Sequence, residues 1–212
     1  MPSAPLVRNS HLLGVAPVAE FEYQEMRALL EAMQRQGITS RFLDPAKRIE
    51  IEQYVRTIAT ERAPPFDLKE LGQILPQSKW RLAFSTDNAV LGDLPAGAVV
   101  VLDFLDERRV DYVLEFSEKT FGLNRLVAKS SYFVNTDENT AGEVSFVYEE
   151  IVSDLFGFTN VGVGFFGLLK GRTNYIKTAF VDGRFWIERG YSTEGQEYFN
   201  VYGRVSDTEL SS

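Results

Sequence analysis

The chain has 212 residues, 44% of them hydrophobic, and a formal net charge of −8 at pH 7, which predicts one globular domain with a sizeable core. The acidic excess argues against nucleic acid as a main partner, because neutralising phosphates requires clustered Lys and Arg, and it would repel anionic lipid headgroups. Without cysteine there are no disulfides, thiolate nucleophiles or Cys-ligated metals, and no other residues have the spacing of metal ligands. No apolar run reaches the roughly 18 residues of a transmembrane helix.

The first third of the chain predicts an extended arm followed by helices. Residues 1–18 are rich in Pro and Ala and predict the arm, whereas 19–76 predict two to three α-helices that pack on the remainder. Asp44 is an N-cap with proline at the first helical position, and Asp67 opens a further short helix before a proline. Helical spacing marks two apolar faces, one with Met26, Leu29, Leu30 and Met33, the other with Ile51, Val55, Ile58 and Arg62.

From residue 77 to 205 the hydrophobic period changes to two, which is typical of β-strands. Residues 98–104 are almost continuously apolar, which predicts a strand covered on both sides. Eight short antiparallel strands close naturally into an up-and-down barrel that can hold one small ligand. Residues 206–212 form a C-terminal tail. The predicted strands span 80–86, 98–104, 110–116, 126–134, 144–148, 173–181, 184–189 and 197–204.

A hairpin is predicted at Asp182-Gly183, which joins two apolar strands. A two-residue turn of this type needs positive φ at both positions, which Gly adopts freely and Asp tolerates.

Alternation along the strands assigns large side chains to one face, on which Trp80, Leu82 and Phe84 lie together. In a barrel such side chains could line a ligand cavity, or they could equally fill the barrel as a solid core. The candidate lining residues are Phe84, Phe104, Tyr112, Leu114, Phe116, Phe146, Tyr148 and Trp186.

The segment 155–171 is too apolar for an ordinary solvated loop. It is predicted either to fold over a barrel mouth or to act as a flap that docks on a membrane or a hydrophobic protein partner. The candidate contact residues are Leu155, Phe156, Phe158, Phe165, Phe166, Leu168 and Leu169.

No catalytic apparatus is evident. His11 is the single histidine and lies in the predicted arm, where a histidine is much more often a solvated side chain than a ligand or base. The pairs Asp106-Glu107 and Glu149-Glu150 are adjacent residues, whose side chains point to opposite faces of a strand. The glycine pattern at 162–167 matches a dinucleotide fingerprint by letter, but no βαβ unit surrounds it. The sequence therefore predicts a protein that is not an enzyme and has no metal site.

Two stretches together resemble the plastid lipid-associated protein family, also called plastoglobulins or fibrillins. The first has Trp80, Leu82, Phe84 and Thr86 at the positions of that family's first strand, and the second has Phe180, Val181, Asp182, Ile187, Arg189 and Gly190 at those of its closing hairpin. Phe185-Trp186 stands where the family motif has Leu-Arg.

This resemblance implies a mainly β fold, an eight-stranded antiparallel lipocalin-like barrel after two to three α-helices. It also implies a peripheral location at chloroplast or cyanobacterial thylakoids or lipid globules. The implied function is binding or transport of an apolar lipid, prenylquinone or carotenoid. A bound lipid, quinone, carotenoid or chlorophyll is the candidate cofactor. An assembly subunit of a photosynthetic membrane complex, docked through the arm and the 155–171 segment, is the alternative.

The motif residues Trp80, Asp182, Arg189 and Gly190 are predicted to close the barrel. The first and last strands of a closed barrel must pair, which brings Trp80 near the closing hairpin. We expect the Arg189 guanidinium to stack on the Trp80 indole and Asp182 to serve the turn.

Overall fold

The computed structural model of the chain describes residues 24, 28, 43–61, 64, 67–87, 98–120, 122–155, 158–162, 171, 173–192 and 194–205. The predicted arm at 1–18, the tail at 206–212, Arg62 and nearly all of the predicted helix at 20–36 lie outside these residues, although Gln24 and Ala28 are helical.

The fold is mainly β, and eight strands form a closed antiparallel barrel of lipocalin-like form, as predicted. Around the barrel the order is β1-β2-β3-β4-β5-β7-β8-β9, and β9 pairs with β1 to close the ring. A short strand, β6, pairs with the C-terminal half of β5 beside the ring. The strands are β1 Ser78–Ser85, β2 Ala98–Phe104, β3 Arg109–Thr120, β4 Leu123–Val134, β5 Glu143–Leu155, β6 Phe158–Gly162, β7 Thr173–Val181, β8 Phe185–Tyr191 and β9 Glu197–Arg204.

Two helices with described bounds precede the barrel. Helix α1 spans Pro45–Glu61 and begins at the predicted cap, where the Asp44 carboxylate accepts a hydrogen bond of 2.8 Å from the backbone N–H of Ala46. A 3-10 turn at Leu68–Glu70, capped by Asp67, leads directly into the short helix α2 at Leu71–Ile74.

The barrel is apolar on both faces of several strands. Outside, the buried Ile51, Val55 and Ile58 of α1 pack on outward side chains of β1, β7, β8 and β9, which include Phe180, Phe185, Ile187 and Phe199. Inside, Leu71 and Leu75 pack against the large aromatic residues at one end of the barrel. Strand β2 is covered on both sides as predicted, since Val100 and Val101 are adjacent and both buried.

Three local predictions need correction. Gly183 has φ of +84°, but Asp182 does not have positive φ, because Gln77 is the one such non-glycine residue in the described part. The Asp182 carboxylate instead accepts hydrogen bonds from the backbone N–H groups of Arg184 and Phe185, which holds the turn. The segment after 155 was expected to be a loop, yet it contains strand β6, and β5 runs to Leu155 rather than ending at 148.

The third correction concerns Phe84. A β-bulge between Leu82 and Phe84 shifts the pairing of β1 with β9 by one residue. Because side chains alternate along a strand, this shift turns Phe84 to the outer face, where it packs beneath α1, whereas Trp80 and Leu82 face the interior.

Candidate functional site

The barrel interior has two unequal halves. In the half next to α2 the Trp80 and Trp186 rings pack edge to face with their ring centres 5.9 Å apart. The ring centres of Trp186 and Phe104 lie 6.1 Å apart. Both indole N–H groups have partners, Ser78 Oγ at 2.7 Å for Trp80 and Thr178 Oγ1 at 3.0 Å for Trp186. This half is a solid core.

The other half contains a cavity of about 180 Å³. Inward-facing residues of six strands line it, so it is a true barrel interior and not a surface groove. A cavity of roughly 150 Å³ is sufficient for one benzene ring. The lining residues are Tyr112, Ser130, Phe146, Tyr148, Asn174, Ile176, Glu188, Tyr198, Asn200 and Tyr202.

Glu188 is the polar centre of this cavity. The residue as a whole is 7% exposed, and Oε2 of its carboxyl group accepts hydrogen bonds of 2.9 Å from both Asn200 Nδ2 and the Tyr202 hydroxyl. Burial raises the pKa of Glu188, and the two hydrogen bonds oppose that rise. No Lys, Arg or His side chain is among the described residues that line the cavity. The site therefore holds a buried acid without a counter-ion from those residues.

Four tyrosines contribute to the remaining wall. Burial, and after it the Glu188 carboxylate, raise the pKa of both Tyr112 and Tyr198. Tyr112 keeps 39% of its surface accessible, and because it lines the cavity we assign much of that surface to the cavity wall. The pKa of Tyr202 is also raised, first by burial and then by Glu188. All of these phenols stay protonated at physiological pH and are available as hydrogen-bond donors or acceptors.

Gly190 determines where Tyr198 can lie. The two residues are directly opposite each other on β8 and β9. A Cβ atom added at Gly190 would be within 2.5 Å of Cζ, Cε2 and the hydroxyl oxygen of Tyr198. Glycine at this position therefore allows the tyrosine ring to lie flat against the strand and form part of the cavity wall.

The predicted lining residues separate into four groups. Tyr112, Phe146 and Tyr148 line the cavity, and Phe104 and Trp186 belong to the solid half. Leu114 and Phe116 continue the inward face of β3 and are half-buried, but do not line this cavity, and Phe84 lies outside the barrel. A ligand role for these residues remains a prediction.

Arg189 does not stack on Trp80, so that prediction is wrong. Arg189 faces outward, where its guanidinium lies 5.6 Å from the Phe199 ring centre and donates a 3.2 Å hydrogen bond to the carbonyl of Ala59 near the end of α1. It also forms an ion pair of 3.4 Å with Glu197. The guanidinium that lies near Trp80 is that of Arg204, at 5.9 Å from the indole ring centre, because β9 places Arg204 directly opposite Trp80. Arg189 thus fastens α1 to the barrel, where it also complements the helix dipole.

Most of the predicted contact segment lies outside the described residues. This holds for Phe156, Phe165, Phe166, Leu168 and Leu169, and the side chain of Leu155 is likewise not described. Phe158, on β6, is 71% exposed, and Val161 on the same strand is 37% exposed.

Other features of the described part do not compete with the interior cavity. A surface depression of about 450 Å³ near α2 has exposed charges of both signs, from Lys69, Glu107 and Arg108. Within the described ranges no three His, Cys, Asp or Glu side chains are grouped as metal ligands. None of the described helices is both long and apolar enough to cross a bilayer.

Sequence reasoning missed the polar half of the site: Ser130, Asn174, Glu188, Tyr198, Asn200 and Tyr202. Two of these residues had a usable signal. Glu188 is two residues after Trp186, and Asn200 is two residues before Tyr202, so period-two alternation already assigns each pair to one face. Charged residues are rarely assigned to a barrel interior, because burying them is costly.

Comparisons with known proteins identify no relative: no family model, no curated protein and no solved structure matches the chain. The resemblance to the plastid lipid-associated proteins therefore stays a prediction based on the two motifs.

Proposed function

We propose that this protein is a non-enzymatic binder that carries one small amphipathic molecule inside its barrel. The observation that carries the proposal is the half-filled interior, in which a ring-sized cavity has convergent polar groups at Glu188, Asn200 and Tyr202. Ligand sites are commonly concave, with aromatic walls and a few placed polar groups, and this cavity has that composition.

Cavity size discriminates among the ligands that the resemblance implies. A volume of about 180 Å³ suits one six-membered ring, such as the head group of a prenylquinone. A carotenoid or a chlorophyll is far larger than this space. A head group in the cavity, with the rest of the ligand outside it, is therefore the arrangement that we propose.

The binding proposal can be tested with a substitution that fills the cavity. Ser130 lines the cavity and is 4% exposed, so Ser130→Leu should occupy the space that a ligand needs. Ser131, next in β4, lies on the other face, and Ser131→Leu is the matched control. Organic extraction and mass spectrometry of the purified proteins should find a small molecule with wild type and Ser131→Leu but not with Ser130→Leu. Equal recovery from all three, or none from wild type, would count against the proposal.

A second candidate, the assembly subunit, is favoured by β6. Phe158 and Val161 on this strand are 71% and 37% exposed, and an edge strand with exposed apolar side chains is a surface on which a partner can pair or pack. Chromatography of detergent-solubilised membranes separates the two functions, because a subunit migrates with a large complex and a carrier migrates alone. Phe158→Ser should release a subunit from that complex. Association with thylakoids or lipid globules is supported by the resemblance alone.

A further inference from the structure

The Glu188 carboxyl group faces a ligand-sized space in which the described lining residues place no cation. The residue is 7% exposed, and the described part of the chain offers it neither an ion pair nor a cationic residue in the cavity wall. Burying an ionised carboxylate is costly unless a charge of opposite sign compensates it. A ligand is a source of that charge.

The geometry leaves one carboxylate oxygen available. Both hydrogen bonds, from Asn200 and Tyr202, end on Oε2, and none from the described residues reaches Oε1. Oε1 has no hydrogen-bond partner among the described residues and yet is not one of the fully buried unpaired atoms, so it retains accessible surface. Because Glu188 lines the cavity, we assign that surface to the cavity. Two donors that converge on Oε2 hold the group in place as an acceptor whose free oxygen is directed into the cavity.

The walls suit a positive charge. Five aromatic rings surround the space, from Tyr112, Phe146, Tyr148, Tyr198 and Tyr202. The faces of such rings attract ammonium groups, most strongly where water is excluded. The formal net charge of −8 further favours the approach of a cation.

We infer that the cavity selects a ring-sized organic cation, a primary or secondary ammonium that donates an N–H hydrogen bond to Glu188 Oε1 while its carbon skeleton packs on the tyrosine rings. This inference rests on the proposed function, since it takes the cavity to be the ligand site. It narrows the ligand class by charge. Among the ring-sized head groups that the volume admits, it therefore disfavours that of a prenylquinone. A quinone offers only oxygen acceptors and a wholly apolar lipid offers no hydrogen bond, whereas the ionised carboxylate needs a donor.

The test compares two probes of the same size that differ in charge. Cyclohexylamine is an ammonium at pH 7 and cyclohexanol is neutral, and each has seven non-hydrogen atoms. Isothermal titration calorimetry with the full chain should show that cyclohexylamine binds at least about tenfold more tightly, because a charge-assisted hydrogen bond is roughly twice as strong as a neutral one. Glu188→Gln keeps an oxygen for Asn200 and Tyr202 and should remove this preference.

The matched control is Glu150→Gln. Glu150 is an exposed carboxylate on β5 that pairs with Lys129 at 3.0 Å, so its loss changes the net charge equally without touching the cavity. The tenfold preference should survive in this variant. A preference retained in Glu188→Gln, or lost in Glu150→Gln, would overturn the assignment to Glu188.

The remaining outcomes separate the two proposals. If cyclohexanol binds wild type as tightly as cyclohexylamine does, the charge inference is wrong and the cavity remains a site for a neutral ring. If neither probe binds at millimolar concentration, the proposed binding function fails, and the charge inference fails with it. The wild-type comparison decides these outcomes even if Glu188→Gln does not fold.

Discussion

Gly190 is the position at which one added methyl group should disturb the cavity wall. In Gly190→Ala the new Cβ would lie within 2.5 Å of three Tyr198 atoms, whereas ordinary contacts begin at 3.4 Å. The tyrosine ring must therefore retreat by about 1 Å or more. Overpacking of this kind typically costs about 1–3 kcal/mol. Gly190 does not have positive φ, so the whole cost comes from this steric conflict.

The assay is equilibrium urea denaturation of a set of variants, with melting temperature as a second measure. A chain of this size should lose about 2–4 °C per kcal/mol. Gly162→Ala is the control, since a Cβ at Gly162 would meet no atom of the described residues within 4 Å and the φ there is also not positive. We expect that change to lie within about 0.5 kcal/mol of wild type.

A double-mutant cycle assigns the cost to one contact. In a Tyr198→Ala background the conflicting ring is gone, so Gly190→Ala should cost nothing further, and the coupling energy should be about 1–3 kcal/mol. If Gly190→Ala is as stable as wild type, there is no steric conflict between residue 190 and Tyr198. The same conclusion follows if Gly190→Ala lowers the free energy of unfolding equally with and without the Tyr198 ring.

Three further predictions concern the core, the helix attachment and the buried acid. Trp80→Ala should lower the free energy of unfolding by about 3–5 kcal/mol, because it removes a fully buried indole, and an unchanged melting temperature would contradict this role. Arg189→Met should loosen α1 from the barrel, because it removes the hydrogen bond to the Ala59 carbonyl. Hydrogen exchange should then be faster for the backbone amides of α1 and unchanged for those of β2. Burial raises the folded-state pKa of Glu188, so the stability linked to this group is fully present below its unfolded pKa of about 4.3 and is lost as pH rises through the folded pKa. Glu188→Gln removes that loss, and its melting temperature minus that of wild type should therefore increase from pH 4 to pH 8; a constant difference would contradict the shift.

Much of the fold could be predicted because it depends on local patterns. Strands β2, β7 and β9 begin and end where alternation and turn residues indicate, and α1 begins at its Asp44 cap. These features are determined within a few residues of chain, through side-chain period, capping and turn chemistry. The presence of a hairpin at Gly183 was predictable for the same reason.

The candidate site was less predictable, because a bulge can reverse which face a side chain occupies. Phe84 follows Trp80 and Leu82 in perfect alternation, yet the bulge in β1 moves it outside the barrel. Arg189 was expected on Trp80 because both belong to the motifs at the barrel closure, but β9 lies between β8 and β1, and Arg189 points outward whereas Trp80 points into the barrel. Neither the bulge nor the neighbour order has a signature in the residues themselves.

An antiparallel β-barrel behind capped helices follows from local patterns in this chain, because period, caps and turns act over a few residues. What the barrel contains depends instead on how distant strands pack together. Half of the interior is filled by Trp80, Trp186 and their neighbours, and the other half is a cavity around Glu188. That division depends on how side chains from six strands meet at one point. Volume, burial and the absence of a cation among the cavity's described residues are properties of that meeting and not of any one segment.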